Sequence, residues 1–226
     1  MSTNSLSMTP REFVAAIEAA LAALADPAKA LAMARYMKNN FAFLGIKTPD
    51  RRAATRTLIR AQDEHVVDVA EALWNLPYRE YQYVACDLLE RRASGLPASA
   101  LPRVMKLVTC RSWWDTVDAL AKVAGTIVRN HSKHASRMDR LAMDKNMWLR
   151  RIAILHQLGV KDEMDTDRLF RICLVNAGDP EFFVRKAIGW ALRDYAHHDP
   201  DAVRRFLDAH RGRFSALTVR EASKHL

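Results

Sequence analysis

Five prolines in this chain each follow a residue that caps helices: Thr9-Pro10, Asp26-Pro27, Thr48-Pro49, Asp179-Pro180 and Asp199-Pro200. Proline suits the first turn of a helix, where its missing N–H had no helical partner, and a preceding Thr or Asp can accept from that turn. The chain is therefore cut at its helix starts, and Thr9 with Glu12 adds a capping box. Leu76-Pro77, Leu96-Pro97 and Leu101-Pro102 mark further breaks. Between breaks, apolar residues recur at helical spacing, as in Phe13, Ile17, Leu21 and Leu24 or Val184, Ile188, Ala191 and Tyr195, and no run alternates like a strand. The spacing predicts helices over about 10–24, 27–43, 50–61, 64–76, 78–93, 99–109, 113–130, 133–144, 147–159, 165–177, 180–197, 200–210 and 216–225.

Many short amphipathic helices joined by tight links suit antiparallel pairs stacked in a solenoid, each pair burying its face against the next. Taken two at a time the helices advance by about 30–45 residues, the range of HEAT-like repeats. The expected fold is all-α: one HEAT-like helical-repeat solenoid domain over residues 1–226, with 1–8 as a flexible N-terminus. A solenoid of this size has a concave face, and basic residues along it would make a groove.

Charge bears on the partner. Thirty-five Lys and Arg oppose 26 Asp and Glu, a net +9, which points to a polyanion: nucleic acid first, an acidic membrane surface second. Arg51, Arg52, Arg56 and Arg60, then Arg150 and Arg151, then Arg185, Lys186 and Arg193, then Arg204, Arg205, Arg211 and Arg213 recur on helical faces. Any one set is more often a solvated face; together with the net charge they favour nucleic acid. No stretch approaches the roughly 20 apolar residues of a membrane span, and the polar Met1–Thr9 has no signal-peptide core, so a soluble, cytoplasmic protein is expected. Cys86, Cys110 and Cys173 lack paired spacing and read as reduced, mostly buried thiols. His131 with His134, and His197 with His198, lack Cys or carboxylate partners at ligand spacing, so no metal site is expected. Seven glycines form no phosphate-cradling pattern, which disfavours nucleotide-cofactor enzymes.

Three segments carry candidate chemistry. In Ser112-Trp113-Trp114-Asp115-Thr116-Val117-Asp118, helical numbering puts Trp113, Val117, Leu120 and Ala124 on an apolar stripe, so Trp113 reads as core. Trp114 and Asp118, four apart, share the neighbouring face and offer a π surface beside a carboxylate, suited to a group that becomes cationic. A helical Trp is more often core, and an Asp in the first turns more often a cap. In Met147–Leu155, Trp148, Ile152 and Leu155 form the buried stripe and leave Arg151 beside it, where it can fork onto a phosphate. In Glu181–Arg193, Val184, Ile188 and Ala191 are core, with Trp190 beside them, Gly189 leaving space and Arg193 one turn on.

These segments resemble those of the bacterial alkylpurine DNA glycosylases built of HEAT-like repeats, the AlkD-type family. The resemblance rests on Met33-Ala34-Arg35-Tyr36-Met37-Lys38-Asn39, Phe43-Leu44-Gly45-Ile46 with Thr48-Pro49, Ser112 to Asp118, Trp148-Leu149 with Arg151, Lys186-Ala187-Ile188-Gly189-Trp190, and Arg220-Glu221-Ala222 with Lys224-His225. It implies that Asp118 is the catalytic carboxylate, that Trp114 and Trp190 flank the lesion-bearing deoxyribose, and that Arg151 holds a backbone phosphate. Tyr36, Lys47, Thr48, Arg52 and Arg193 stand at positions like the family's DNA-contacting ones, with Lys47 replacing an expected glutamine. It further implies a monomer acting on duplex DNA with alkylated purines, without metal or organic cofactor, in the bacterial cytoplasm.

The residues make chemical sense of this. A purine alkylated at N3 or N7 is already cationic and leaves without a general acid, through an oxocarbenium-like sugar, so one carboxylate suffices. Lys122 as a Schiff-base nucleophile is the weaker reading, since Asp118 and Lys122 make an ordinary helix-surface pair. A non-enzymatic scaffold for DNA or protein is the main alternative, set apart by its lack of need for a carboxylate between two aromatics. A basic repeat protein for RNA is a third reading, separable by duplex competition.

Overall fold

The computed structural model describes residues 8–226. Among them are thirteen α-helices and no sheet, the one strand-like feature being an isolated bridge between Ala42 and Tyr78. The fold is all-α. Two compact units make up the chain, Met1–Gly95 and Leu96–Leu226. The expected flexible N-terminus at 1–8 falls, except for Met8, outside the described residues; Met8 itself exchanges two backbone hydrogen bonds with the Gln62 amide, at 3.1 and 2.9 Å.

In the first unit lie α1 (Pro10–Ala22), α2 (Pro27–Tyr36), α3 (Thr48–Ala61), α4 (Val66–Trp74) and α5 (Arg79–Arg92). Thr9 and Asp26 cap α1 and α2 as expected, Thr9 in a full capping box with Glu12. Two expectations need correction here. The helix expected over 27–43 stops at Tyr36, because Lys38 and Asn39 turn left-handed, with φ of 58° and 57°. Thr48 is the first helical residue of α3, not its cap; Lys47 takes the cap position without a side-chain hydrogen bond.

The loop between α2 and α3 is fixed from below by Glu80. Its fully buried carboxylate accepts from the backbone N–H groups of Leu44 (2.9 Å), Gly45 (2.9 Å) and Ile46 (3.1 Å). Gly45 adopts φ +89° and presses so close to α2 that a Cβ there would lie 2.0 Å from the Asp26 carbonyl oxygen. Only glycine fits both demands. Lys47 and Thr48 follow directly on this anchored segment.

The second unit contains α6 (Ala100–Val108), α7 (Trp114–Asn130), α8 (Ser136–Leu141), α9 (Met147–Leu155), α10 (Thr166–Val175), α11 (Phe182–Ala196), α12 (Pro200–Ala209) and α13 (Ala216–Ala222). Helices α7, α9, α11 and α13 pack in succession, and their first residues lie 33 to 35 positions apart. Helix α6 covers α7, α8 covers α9, and α12 covers α11. This is the helical-repeat pattern, one helix pair per repeat. Asp199 caps α12 as expected, but α11 begins at Phe182, two residues beyond Pro180. Asp179 is occupied elsewhere: it accepts from Glu181 N–H and from Arg150 Nε (2.7 Å), closing a turn ahead of the helix. Cys86 and Cys173 are buried and Cys110 is exposed, and no disulfide joins them. No helix among the described residues is long and apolar enough to cross a membrane.

Helix α7 comes close to the end of α9 at Gly125. A Cβ at that position would lie 1.8 Å from the carbonyl oxygen of His156. His156 is itself buried, its Nδ1 2.6 Å from the Ala153 carbonyl, and burial pushes its pKa down to about 4, so it stays neutral near pH 7. Neither backbone can yield without parting two buried apolar stripes. Gly125→Ala should therefore lower unfolding stability by about 2–3 kcal/mol, read as a shift of the urea midpoint. An unchanged midpoint would show that α7 and α9 can separate freely.

Candidate active site

The candidate residues of the second unit lie on α7, α9 and α11 or just before them. Trp113 precedes α7 in extended conformation, with φ −158°, and its carbonyl accepts from Val117 N–H. It is half-buried, not fully enclosed as the helical stripe implied. Its ring packs 5.9 Å from Trp148 at the start of α9 and 5.2 Å from Phe183 at the start of α11, and those two rings are 5.1 Å apart. Offset and edge contacts of this kind join three successive helices at one end.

One turn further along α7, Asp118 meets Arg151 of α9. The guanidinium forks onto the carboxylate, Nε to Oδ1 at 2.7 Å and Nη2 to Oδ2 at 2.8 Å, while Nη1 donates to the Phe183 carbonyl at 2.5 Å. Arg151 thus spans α7, α9 and α11, and only 4% of it is exposed. The sequence put Arg151 beside the buried stripe; the fold turns it inward onto Asp118. Three of its five N–H donors are engaged in these bonds, which leaves one N–H on each terminal nitrogen outside them. Its neighbour Arg150 is committed to Asp179 and to the carbonyls of Asp144 and Lys145.

Burial holds the Asp118 carboxyl above the usual carboxylate range, against the lowering influence of the Arg151 hydrogen bonds and charge. The Asp118 side chain keeps 17% of its surface exposed. Trp114 lies one turn before it on the same helix and is half-buried. Trp190, also half-buried, stands on α11 two turns beyond Phe183 and hence on the same side of that helix. Asp118 and Arg151 are in direct contact; Trp114 and Trp190 belong to α7 and α11, the two helices that Arg151 bonds. Lys122 is exposed.

The expected DNA-contacting residues divide between the units. Arg193, in the second, donates through Nη1 to the buried Glu221 at 2.9 Å. In the first unit, Arg52 donates through Nε (3.1 Å) and Nη2 (2.9 Å) to Oδ1 of Asp87, whose Oδ2 accepts from the buried Arg51 at 2.9 Å. Tyr36, Lys47 and Thr48 are exposed, Tyr36 at the end of α2 and the others at the start of α3.

A family model for DNA alkylation repair enzymes matches residues 17–226. The chain belongs to that family. A solved structure of a predicted DNA alkylation repair enzyme from Enterococcus faecalis is similar to it, with 32% identity, a TM-score of 0.83, and coverage of 89% of this chain and 96% of that one. A comparison with curated proteins gives no match. DNA alkylation repair is the role these likenesses support.

Within this repair enzyme, Asp87, Glu221 and Phe183 hold the basic residues in place, and none of them stood out as a site residue in the sequence. Their signal is a cross-repeat one: Asp87 lies 35 residues from Arg52, Glu221 28 from Arg193, and the Phe183 carbonyl 32 from Arg151. A ¹³C NMR titration of the Asp118 side chain should give a midpoint above that of an exposed aspartate. Arg151→Gln should raise it further, because the guanidinium favours the ionised form. A midpoint at or below the ordinary value would mean that pairing outweighs burial.

Proposed function

We propose that the chain is a monofunctional DNA glycosylase that hydrolyses the N-glycosidic bond of cationic N3- or N7-alkylated purines in duplex DNA. The observation that carries this reading is Asp118, whose side chain is mostly buried yet 17% exposed and whose carboxylate is fixed in orientation by a permanently charged arginine. A fixed anion in a low-dielectric setting stabilises a developing cation without reorganising as the reaction proceeds.

In the proposed reaction the C1′–N bond breaks with its electron pair going to the cationic purine, which leaves neutral. The sugar becomes oxocarbenium-like, faced by Asp118 and flanked by the π surfaces of Trp114 and Trp190. Water oriented by Asp118 adds at C1′ and gives up its proton to the carboxylate or to solvent. Arg151 presents its remaining N–H groups to a backbone phosphate beside the lesion. Tyr36, Lys47, Thr48, Arg52 and Arg193 contact the DNA.

A second reading has an observation of its own. The Asp118–Arg151 pair ties α7 to α9, which is what a structural ion pair in a non-enzymatic DNA-binding scaffold would also do. The two readings part at alkylbase release and its response to Asp118→Asn. The amide keeps the shape but carries no charge, so alkylbase release should fall by at least on the order of 100-fold while binding to abasic duplex changes little. Release at the wild-type rate would remove Asp118 from the mechanism, and absence of release by the wild type itself would leave the scaffold reading. Since the ionised form is the active one and burial raises its pKa, the rate should fall on acidification from a pH above the ordinary aspartate range.

Substrate range follows from the missing acid. Nothing in the proposed constellation protonates a neutral leaving base, and uracil or hypoxanthine should be left in place. Release of bulky N7 adducts should persist, because the proposed contacts are to sugar and phosphate and not to the base edge. A panel of duplexes with one lesion each, assayed by chromatography of the freed bases, checks both; efficient uracil release would sink the mechanism.

A further inference from the structure

We propose that the cluster of Lys186, Arg193 and Lys224 around Glu221 seats one backbone phosphate of duplex DNA beside Trp190, with Glu221 as the positioning residue. This rests on the reading that the chain binds duplex DNA and is independent of whether it excises bases.

The cluster is built by an unusually close helix contact. A Cβ on Gly189 would lie 2.5 Å from the Glu221 Cβ and 2.9 Å from the Thr218 carbonyl, so α13 lies directly against the backbone of α11. Thr218 Oγ1 strengthens this contact by donating to the Arg185 carbonyl at 3.1 Å. Glu221 is consequently fixed against Gly189, the residue before Trp190, and only 6% of it is exposed. Its Oε2 accepts from Arg193 Nη1 and Lys224 Nζ, both at 2.9 Å, and Lys186 Nζ lies 3.9 Å from Oε1.

One carboxylate facing three cations leaves a local charge of +2. A structural ion pair needs a single partner; two further like charges repel each other and are relieved by an anion. The Lys224 hydrogen bond above all, with the Lys186 charge and the Arg193 hydrogen bond, holds the Glu221 carboxyl below its ordinary range and so ionised. Lys186 and Lys224 each keep 47% of their side chains exposed, so their ammonium groups can reach a ligand without leaving the cluster. Lys186 is four residues before Trp190 and Arg193 three after, so both flank the indole along one helical face. An anion held there lies beside Trp190. In a DNA alkylation repair enzyme, the anion available at that spot is a phosphodiester.

Glu221 makes a prediction with an unusual sign. If it were only a nearby negative charge, removing it would strengthen DNA binding. If it orients the cations, removing it weakens binding although the net charge rises by one.

The experiment measures affinity for a duplex carrying a tetrahydrofuran abasic analogue, with single neutral methylphosphonate linkages placed in turn along both strands. In the wild type, one linkage should lower affinity roughly tenfold, and the Lys186→Gln/Lys224→Gln double variant should be insensitive to that same linkage. The double variant should also show a salt slope shallower by about 0.9 for the lost phosphate. Glu221→Gln should bind severalfold more weakly. Tighter binding by a folded Glu221→Gln, or the absence of any linkage whose effect is lost in the double variant, overturns the proposal. The two exposed lysines keep the test valid if Glu221→Gln does not fold. Base release is assayed separately, so failure of excision leaves the phosphate seat standing, and the converse holds too.

Discussion

Arg151 is the joint on which the second unit turns. It draws on three successive helices at once, with two donors on Asp118 of α7 and one on the Phe183 carbonyl of α11. A buried arginine is tolerated only when its charge is met and its donors are used, and the removal of one partner from such a pair typically costs about 3–5 kcal/mol. The surrounding packing is arranged to keep that geometry: the Trp113, Trp148 and Phe183 rings close one end of the same three helices, and the Gly125 contact with His156 sets the α7 to α9 distance at the other. Rigidity therefore comes first, and the orientation of the Asp118 carboxylate follows from it.

The same device recurs along the chain. Within the first unit Asp87 of α5 gathers Arg51 and Arg52 of α3, and within the second Glu221 of α13 gathers Arg193 of α11. In each case an acid on one repeat helix takes the arginine of its neighbour, and charge that would otherwise be mobile on long side chains is held in one orientation. Both acids are largely buried, and such buried pairs are weak evidence for stability because desolvation offsets the attraction. Their value lies in preorganisation, since an arginine already fixed loses less freedom when it meets a phosphate.

How much of this was readable from the chain depends on how local the determinant is. Capping by Thr9, Asp26 and Asp199 was legible because each side chain acts on a backbone group three residues away. The number of helices followed from apolar periodicity. The end of α2 was not, because Lys38 has no preference for a left-handed turn and adopts it where the following loop is gripped by Glu80, 36 residues from Leu44. Trp114 and Asp118 share a helix, and their proximity could be counted on one's fingers. That Arg151 faces Asp118 and not solvent could not, since a helical wheel gives the angle of a side chain within its own helix and says nothing of which neighbour arrives 33 residues away. That Asp87 and Glu221 meet Arg52 and Arg193 was hidden for the same reason.

On the proposed mechanism, the pairing of Asp118 with Arg151 also sets what the site can attack. An unpaired buried carboxylate would lean toward its protonated, neutral form and offer a sugar cation little. The arginine opposes that shift and so keeps the anion available, but it also takes up part of the field the anion would otherwise exert. What remains is a fixed carboxylate of moderated strength, with no second acid in the constellation. Such a group can complete a bond cleavage that the substrate has already begun through its own positive charge. A neutral purine or pyrimidine asks for a proton as well, and Asp118 cannot lend one without giving up its ionised contact with Arg151. Selectivity for cationic lesions then needs no enclosing pocket, because it arises from the single carboxylate being just strong enough for a leaving group that is already charged.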